Sequence, residues 1–236
     1  MKIVLLTTDT IHHRFIASCI HAVFSFHTII VEKPLDPPYE THHPMDDLQE
    51  RYERENLQPF CSPSYDDLTD TYCFHDIHEE ACIRKIREVA PDVILICGTR
   101  IVPDKIISIP SIACLNLHGA DPQEYRGIDS FLWAIYHNDF SNLIVALHKV
   151  DSHLDTGDIV LMAHIPITKD TRIYQIRAIC ADICVDLFRT CIMAQQTLGW
   201  IPSFQQRKKG RYYSYMPAAL KETCQHHFDA YVNSLL

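Results

Sequence analysis

Apolar runs too short to be helices constrain this chain most: KIVLLT at 2–7, HTIIVEK at 27–33, PDVILICG at 91–98 and SIACLNLH at 111–118. Runs of β-branched and aliphatic residues with little polar alternation are strands buried on both faces, the pattern of a parallel sheet covered by helices. The segments between them change period. In HHRFIASCIHAVF, residues Phe15, Ile16, Cys19, Ile20 and Val23 form one helical stripe, and EEACIRKIREVA is amphipathic in the same way. A strand, a helix and a second strand in that order form a unit that closes with a right-handed crossover.

The alternation continues with a short helix in PDKIISI and a longer one in GIDSFLWAIYHND, with Asp129 or Ser130 expected as its N-cap. NLIVALHKV and IVLMAHIPI flank the turn DSHLDTGD and are expected to pair as a hairpin or lie as neighbouring strands. Residues 171–198 carry the longest helical pattern, with Ile176, Ile179, Ile183, Leu187 and Cys191 on a shared face. One stretch breaks the rhythm. Residues 34–72 form a long excursion with one polar helix expected near 44–57, suited to a functional flap or a tolerated insertion. The tail from 206 offers a glycine-containing turn, an aromatic strand in GRYYSY and a final helix. The fold expected is α/β: an open, mostly parallel, Rossmann-like sheet over residues 1–205, with a small strand and helix extension over 206–236.

Composition narrows the function. With 236 residues, 47% hydrophobic and 22% charged, the chain can build a large core and is not disordered. A net charge of −9 repels a bare anionic polymer, so no nucleic-acid partner is expected. A small phosphorylated ligand remains compatible, because a basic pocket can sit on an acidic protein. The ten cysteines sit mostly in apolar runs with no CxxC pair, which reads as buried thiols in a reducing compartment. MKIVLLTTDT lacks a signal-peptide pattern, and no run reaches the about 18 apolar residues that span a bilayer. A cytoplasmic protein without membrane attachment is therefore expected. His75 and His78 stand at helical spacing, and His12–His13, His42–His43 and His226–His227 are doublets. Nothing makes three of them converge, and no metal site is expected.

Ligands of open α/β sheets bind beyond the carboxyl ends of the strands. Three segments should reach that edge: ICGTRIVP, NLHGADPQEYRG and DSHLDTGDIV. Asn116 and His118 are two apart on a strand, so they share a face at its end. Asp155 follows a later strand. An amide that donates to a developing oxyanion, an imidazole that moves a proton and a carboxylate that orients it make a plausible reacting set. No Ser or Cys stands where a strand turns sharply into a helix, so the nucleophile should come from a substrate.

Asn-x-His at 116–118, Tyr-Arg-Gly at 125–127 and Leu-Asp-Thr-Gly-Asp at 154–158, preceded by GTRIVPDKII, resemble the marks of the folate-dependent formyltransferases in order and spacing. That family includes enzymes acting on glycinamide ribonucleotide, methionyl-tRNA and nucleotide sugars. The resemblance covers residues 1 to about 205 and is strongest, in size, to the short nucleotide-sugar N-formyltransferases. It implies N10-formyltetrahydrofolate as co-substrate and a catalytic trio of Asn116, His118 and Asp155. Folate contacts are implied at Arg100, Ile101, Val102, Asp151 and Leu154, and substrate contacts at Tyr125, Arg126 and Gly127. The acceptor implied is the amine of a nucleotide-linked amino sugar, such as a dTDP-amino-dideoxyhexose of polysaccharide biosynthesis, handled by a homodimer. Where the family continues after Asn-x-His with a small residue and Ser-Leu-Leu-Pro, this chain has GADPQE. TTDTIHHRF after the first strand lacks the glycines of a phosphate loop. Two other readings stay open: a formyltetrahydrofolate hydrolase, with water in place of the amine, and a catalytically silent folate- or nucleotide-binding homologue.

Overall fold

The computed structural model describes residues 1–34 and 36–235; Leu35 of the excursion and Leu236 at the end of the extension lie outside the described residues. Seven strands form one sheet: β1 (Ile3–Thr7), β2 (Thr28–Glu32), β3 (Thr71–Phe74), β4 (Val93–Cys97), β5 (Ala113–His118), β7 (Ile144–Lys149) and β8 (Ile159–His164). Their spatial order is β3-β2-β1-β4-β5-β7-β8. The first five are parallel, and β7 and β8 run antiparallel as a hairpin on that end. The expected α/β sheet is therefore present, and the choice between hairpin and neighbouring strands falls to the hairpin.

Burial follows the strand alternation. Ile3 and Leu5 of β1, Ile29 of β2 and Leu95 of β4 pack against α1 (Ile11–His21) and α6 (Ile176–Leu198), a layer that also holds Phe188. Val4, Leu6, Ile30, Ile94 and Ile96 face the other way, onto α3 (Glu80–Val89) and α4 (Asp104–Ile107). The chain reverses direction across the sheet between β1 and β4, and it is at such a switch that loops diverge and leave a crevice.

Two short strands were not apparent in the sequence. β3 has four residues on an exposed edge, too few for a periodic signal. β6 (Tyr125–Gly127) lies in a stretch that reads as loop, and it pairs in parallel with β9 (Arg211–Tyr213), the aromatic strand of the tail, in a separate two-stranded sheet. Gly127 has φ +96°, and a Cβ there would sit 2.0 Å from the Tyr213 carbonyl oxygen, so only glycine permits this pairing. Asp129 stands at the N-cap of α5 (Ser130–Tyr136), as expected, but its side chain makes no capping bond. Its backbone is left-handed, and its carboxylate accepts the Met216 N–H at 2.8 Å instead.

Within the excursion, α2 (Pro44–Asn56) forms where the charged run predicts a helix. His43 caps it by accepting from Met45 N–H, while Asp46 accepts from the His43 N–H. The excursion is tied to the tail: the Lys221 ammonium of α7 (Ala218–Ser234) donates to both Asp46 oxygens at 2.8 and 2.9 Å, and Ala218 N–H donates to the Glu40 carbonyl.

Phe188 is fully buried between α6 and the sheet. Phe188→Ala is expected to lower the unfolding free energy by about 3–5 kcal/mol, read from urea denaturation, because the cavity left is enclosed by rigid strands. A loss of less than about 1 kcal/mol would place that side chain outside the main core.

Candidate active site

The last turn of β5 carries the site because apolar packing gives way there to two polar side chains. Asn116 lies directly opposite His148 of β7 in the antiparallel register. The Asn116 amide reaches His148 Nε2 at 3.1 Å and Asp155 Oδ1 at 3.4 Å. His148 donates from Nδ1 to the Lys149 carbonyl at 2.7 Å, so in the neutral ring its Nε2 accepts from Asn116, and in the protonated ring it faces Asp155 Oδ1 at 3.5 Å. His118 donates from Nε2 to the Tyr125 carbonyl at 2.8 Å, which leaves Nδ1 as its open nitrogen, 3.8 Å from Asp155 Oδ2. Asp155 is 8% exposed and left-handed at φ 53°. Its Oδ2 accepts the Gly127 N–H at 2.8 Å. Burial alone would raise its pKa, but His118, His148 and that N–H outweigh burial and hold the carboxyl well below the usual range. The structure thus brings Asn116, His118 and Asp155 together, and adds His148.

A cavity of about 520 Å³ opens over these groups, within the range of small-molecule sites. Arg100, Ile101, Val102, Asp151 and Leu154 all line it, as does Gly127. Ile101 is 59% exposed at the rim, and Val102 is buried behind it. Apolar side chains and loop backbone on this wall suit a flat heterocycle. Both loops are braced. Arg100 N–H donates to the buried Glu32 carboxylate at 2.8 Å, and Gln206 Nε2 donates to the carbonyls of Asp155 and Gly157 at 3.0 and 2.9 Å.

Tyr125 and Arg126 are placed otherwise than expected. Neither lines the cavity. Tyr125 is buried with its hydroxyl donating to Asp139, and Arg126 donates to the carbonyls of Gly210 and Leu154 at 2.6 and 2.9 Å. Two donors of the Arg126 guanidinium hold the Leu154 loop to the tail, and the side chain lies outside the cavity. Of the GADPQE loop, Gly119 alone reaches the cavity, while Gln123 and Glu124 bond to the 207–211 turn.

Several lining groups carry no motif. His12 and His13 stand on the first turn of α1, and Arg177 and Cys180 on α6 face them across the cavity wall. Glu53 of α2, 1% exposed, takes a bidentate pair from Arg177 at 2.5 and 2.9 Å and lies 3.5 Å from His12. Burial opposes its ionisation, yet the bonds from His12 and Arg177 prevail and bring its pKa from 4.5 down to about 2. Among the described residues, no group of three His, Cys, Asp or Glu side chains could hold a metal ion, and no helix is long and apolar enough to cross a membrane.

An α/β sheet that gathers an amide, two imidazoles and a buried carboxylate at the ends of its strands, beside its switch point, defines a class of group-transfer site. The sequence model of the formyl transferase family matches residues 47–187, more than half of the chain, and the chain belongs to that family. It is 34% identical to a methionyl-tRNA formyltransferase of Acetivibrio thermocellus over 89 residues, covering 37% of this chain and 28% of that protein. The chain thus spans little more than a quarter of the length of the curated relatives it matches. The fold is similar to that of the formyltransferase PseJ from Anoxybacillus kamchatkensis, solved with UDP-4,6-dideoxy-4-formamido-L-AltNAc and tetrahydrofolate. The TM-score is 0.55 at 19% identity, covering 91% of this chain and 86% of that one. It is also similar to an N-formyltransferase from Helicobacter canadensis, solved with folinic acid and dTDP-3-aminofucose, with TM-score 0.57 at 15% identity over 91% and 71% of the two chains.

A carboxyl whose folded pKa lies below its unfolded one stabilises the fold above the unfolded value and loses that contribution as pH falls through the folded one. Glu53→Gln is therefore expected to cost about 2–4 kcal/mol at pH 7, with the gap to wild type narrowing as pH falls from 4.5 toward about 2. Urea midpoints across that window provide the check, and a gap independent of pH would contradict the ionised pair.

Proposed function

We propose that the chain is an N-formyltransferase that moves the formyl group of N10-formyltetrahydrofolate to the amine of a nucleotide-linked amino sugar. The observation that carries this reading is the buried, ionised Asp155 carboxylate facing the open nitrogen of His118. The folate co-substrate, when bound, supplies the formyl carbon, and the loops at 100–102 and 151–155 are the surface that suits its ring. His118 keeps its Nε2 hydrogen on the Tyr125 carbonyl, so a proton leaving the attacking amine can be taken at Nδ1. Asp155 stabilises the imidazolium that results, while the Tyr125 carbonyl holds the ring in the accepting tautomer. The imidazolium then gives that proton to N10 as the bond between N10 and the formyl carbon breaks, so that tetrahydrofolate leaves neutral. One Asn116 hydrogen is held by His148, and the other makes only a 3.4 Å contact to Asp155, so it is the one available to an oxygen that gains charge. His148 acts on Asn116 by fixing the rotation of its amide.

The choice of acceptor rests on several observations. Structural neighbours of the same fold hold nucleotide amino sugars, and the net charge of −9 disfavours tRNA. The loop after β1 has no phosphate-binding glycines. A cytoplasmic homodimer remains the proposed setting.

The test is mass spectrometry on dTDP- and UDP-linked amino sugars, with initiator methionyl-tRNA in parallel, each incubated with protein and N10-formyltetrahydrofolate. One amino sugar gaining a formyl group is the expected result. Formylated methionyl-tRNA, or formate released without acceptor, would replace this reading by another. Asp155→Asn is expected to cut turnover about 10²–10⁴-fold with folate binding nearly unchanged, since the amide keeps the Gly127 contact but not the charge.

A further inference from the structure

His13 takes no part in the scheme above, yet it is the most carefully seated side chain on the α1–α6 wall. It is 9% exposed and lines the cavity. Its Nδ1 is bonded to Thr8 Oγ1 at 3.0 Å, and among the described residues its Nε2 has no hydrogen-bond partner. The ring lies against Gly98, so closely that a Cβ there would come within 2.2 Å of His13 Cε1. Gly98 also has φ +81°, where any L side chain is strained, so the seat exists only because this residue is glycine. Burial first, then the charges of His12 and Arg177, press the imidazole well below its ordinary pKa, and the ring is neutral.

Of the other polar groups on that wall, His12 is turned through Nδ1 to Thr10 at 3.2 Å and Glu53 at 3.5 Å. Arg177 is spent on Glu53. Burial pushes the Cys97 and Cys180 thiols up to about 12, which removes them as nucleophiles. The loops at 100–102 and 151–155 form the wall that suits the folate. The α1–α6 wall is therefore left for the acceptor, and β4, which leads into Gly98, is the strand next to Asn116.

An amine attacks a carbonyl only while unprotonated and with its lone pair aimed at the carbon. A neutral ring nitrogen that accepts one of its N–H bonds fixes that aim without donating a proton. We propose that His13 is an acceptor-positioning residue whose Nε2 takes a hydrogen bond from the acceptor amine, with the ring held in place by Thr8 and the bare backbone of Gly98. This inference rests on the N-formyltransferase reading.

The experiment compares wild type, His13→Ala and His13→Gln on dTDP-3-aminofucose and a UDP-linked 4-amino sugar, with 5-formyltetrahydrofolate binding measured separately by fluorescence. Melting curves establish that each variant is folded. His13→Ala is expected to raise the acceptor KM about tenfold while folate Kd stays within about twofold. His13→Gln, whose amide oxygen can accept the same bond, is expected to restore part of that loss. An unchanged acceptor KM in folded His13→Ala, with wild type active, overturns the assignment of His13 alone. A folate Kd weakened in proportion also overturns it and places His13 against the donor. A wild type that binds folate but formylates neither sugar overturns the N-formyltransferase reading, and the assignment with it.

Discussion

A buried carboxylate must be paired to stay ionised, and Asp155 organises its surroundings through that requirement. Its oxygens meet Gly127 N–H, the Asn116 amide and the rings of His118 and His148. These partners come from β5, β6 and β7, so one charge ties the small β6–β9 sheet to the end of the main sheet. The left-handed backbone at Asp155 is a local cost, offset by Gln206, which holds the carbonyls of Asp155 and Gly157. Gly157 itself runs so close to the Lys149 carbonyl that no side chain would fit. The turn from 151 to 158 is thus held from several sides before any ligand arrives, which is how such sites hold their geometry.

A second set of contacts closes the cavity from segments far apart in sequence. The excursion and the tail share the Lys221–Asp46 pair, the Glu40–Ala218 bond and a hydrogen bond from the Tyr39 hydroxyl to the Tyr215 carbonyl. Lys33, Pro34 and Tyr215 line the cavity beside this junction. The excursion is therefore neither an idle insertion nor a loop hanging in solvent: Glu53 of α2 holds Arg177 of the cavity wall from behind, and the tail holds α2 in place. Buried polar positions such as Gln49 and Glu53 explain why this helix showed no apolar stripe.

What could be read from residues alone follows a physical divide. Strands β1, β2, β4 and β5 were legible because a strand buried on both faces must be apolar throughout, and such runs are short and distinct. Asn116, His118 and Asp155 stood out as polar groups interrupting that pattern at the right ends. His148 sits at an equally telling position in NLIVALHKV, but its meaning depends on facing Asn116 across an antiparallel pair, and register is not visible in one strand. Arg126 shows the opposite failure. The resemblance implied a substrate contact there, whereas the fold turns the guanidinium to two carbonyls outside the cavity.

By itself, then, the sequence determined the layered α/β architecture, the edge of the sheet where the cavity opens and the polar trio that stands there, since each rests on periodicity or on residue type at a strand end. Tertiary structure decided which groups share the cavity: His148, His13 on its glycine seat, and Arg177, which Glu53 holds from behind. It also turned Tyr125 and Arg126 away into supporting roles. The reason is that hydrogen-bonding capacity belongs to a residue, while the partner that uses it is chosen only when distant segments meet in three dimensions.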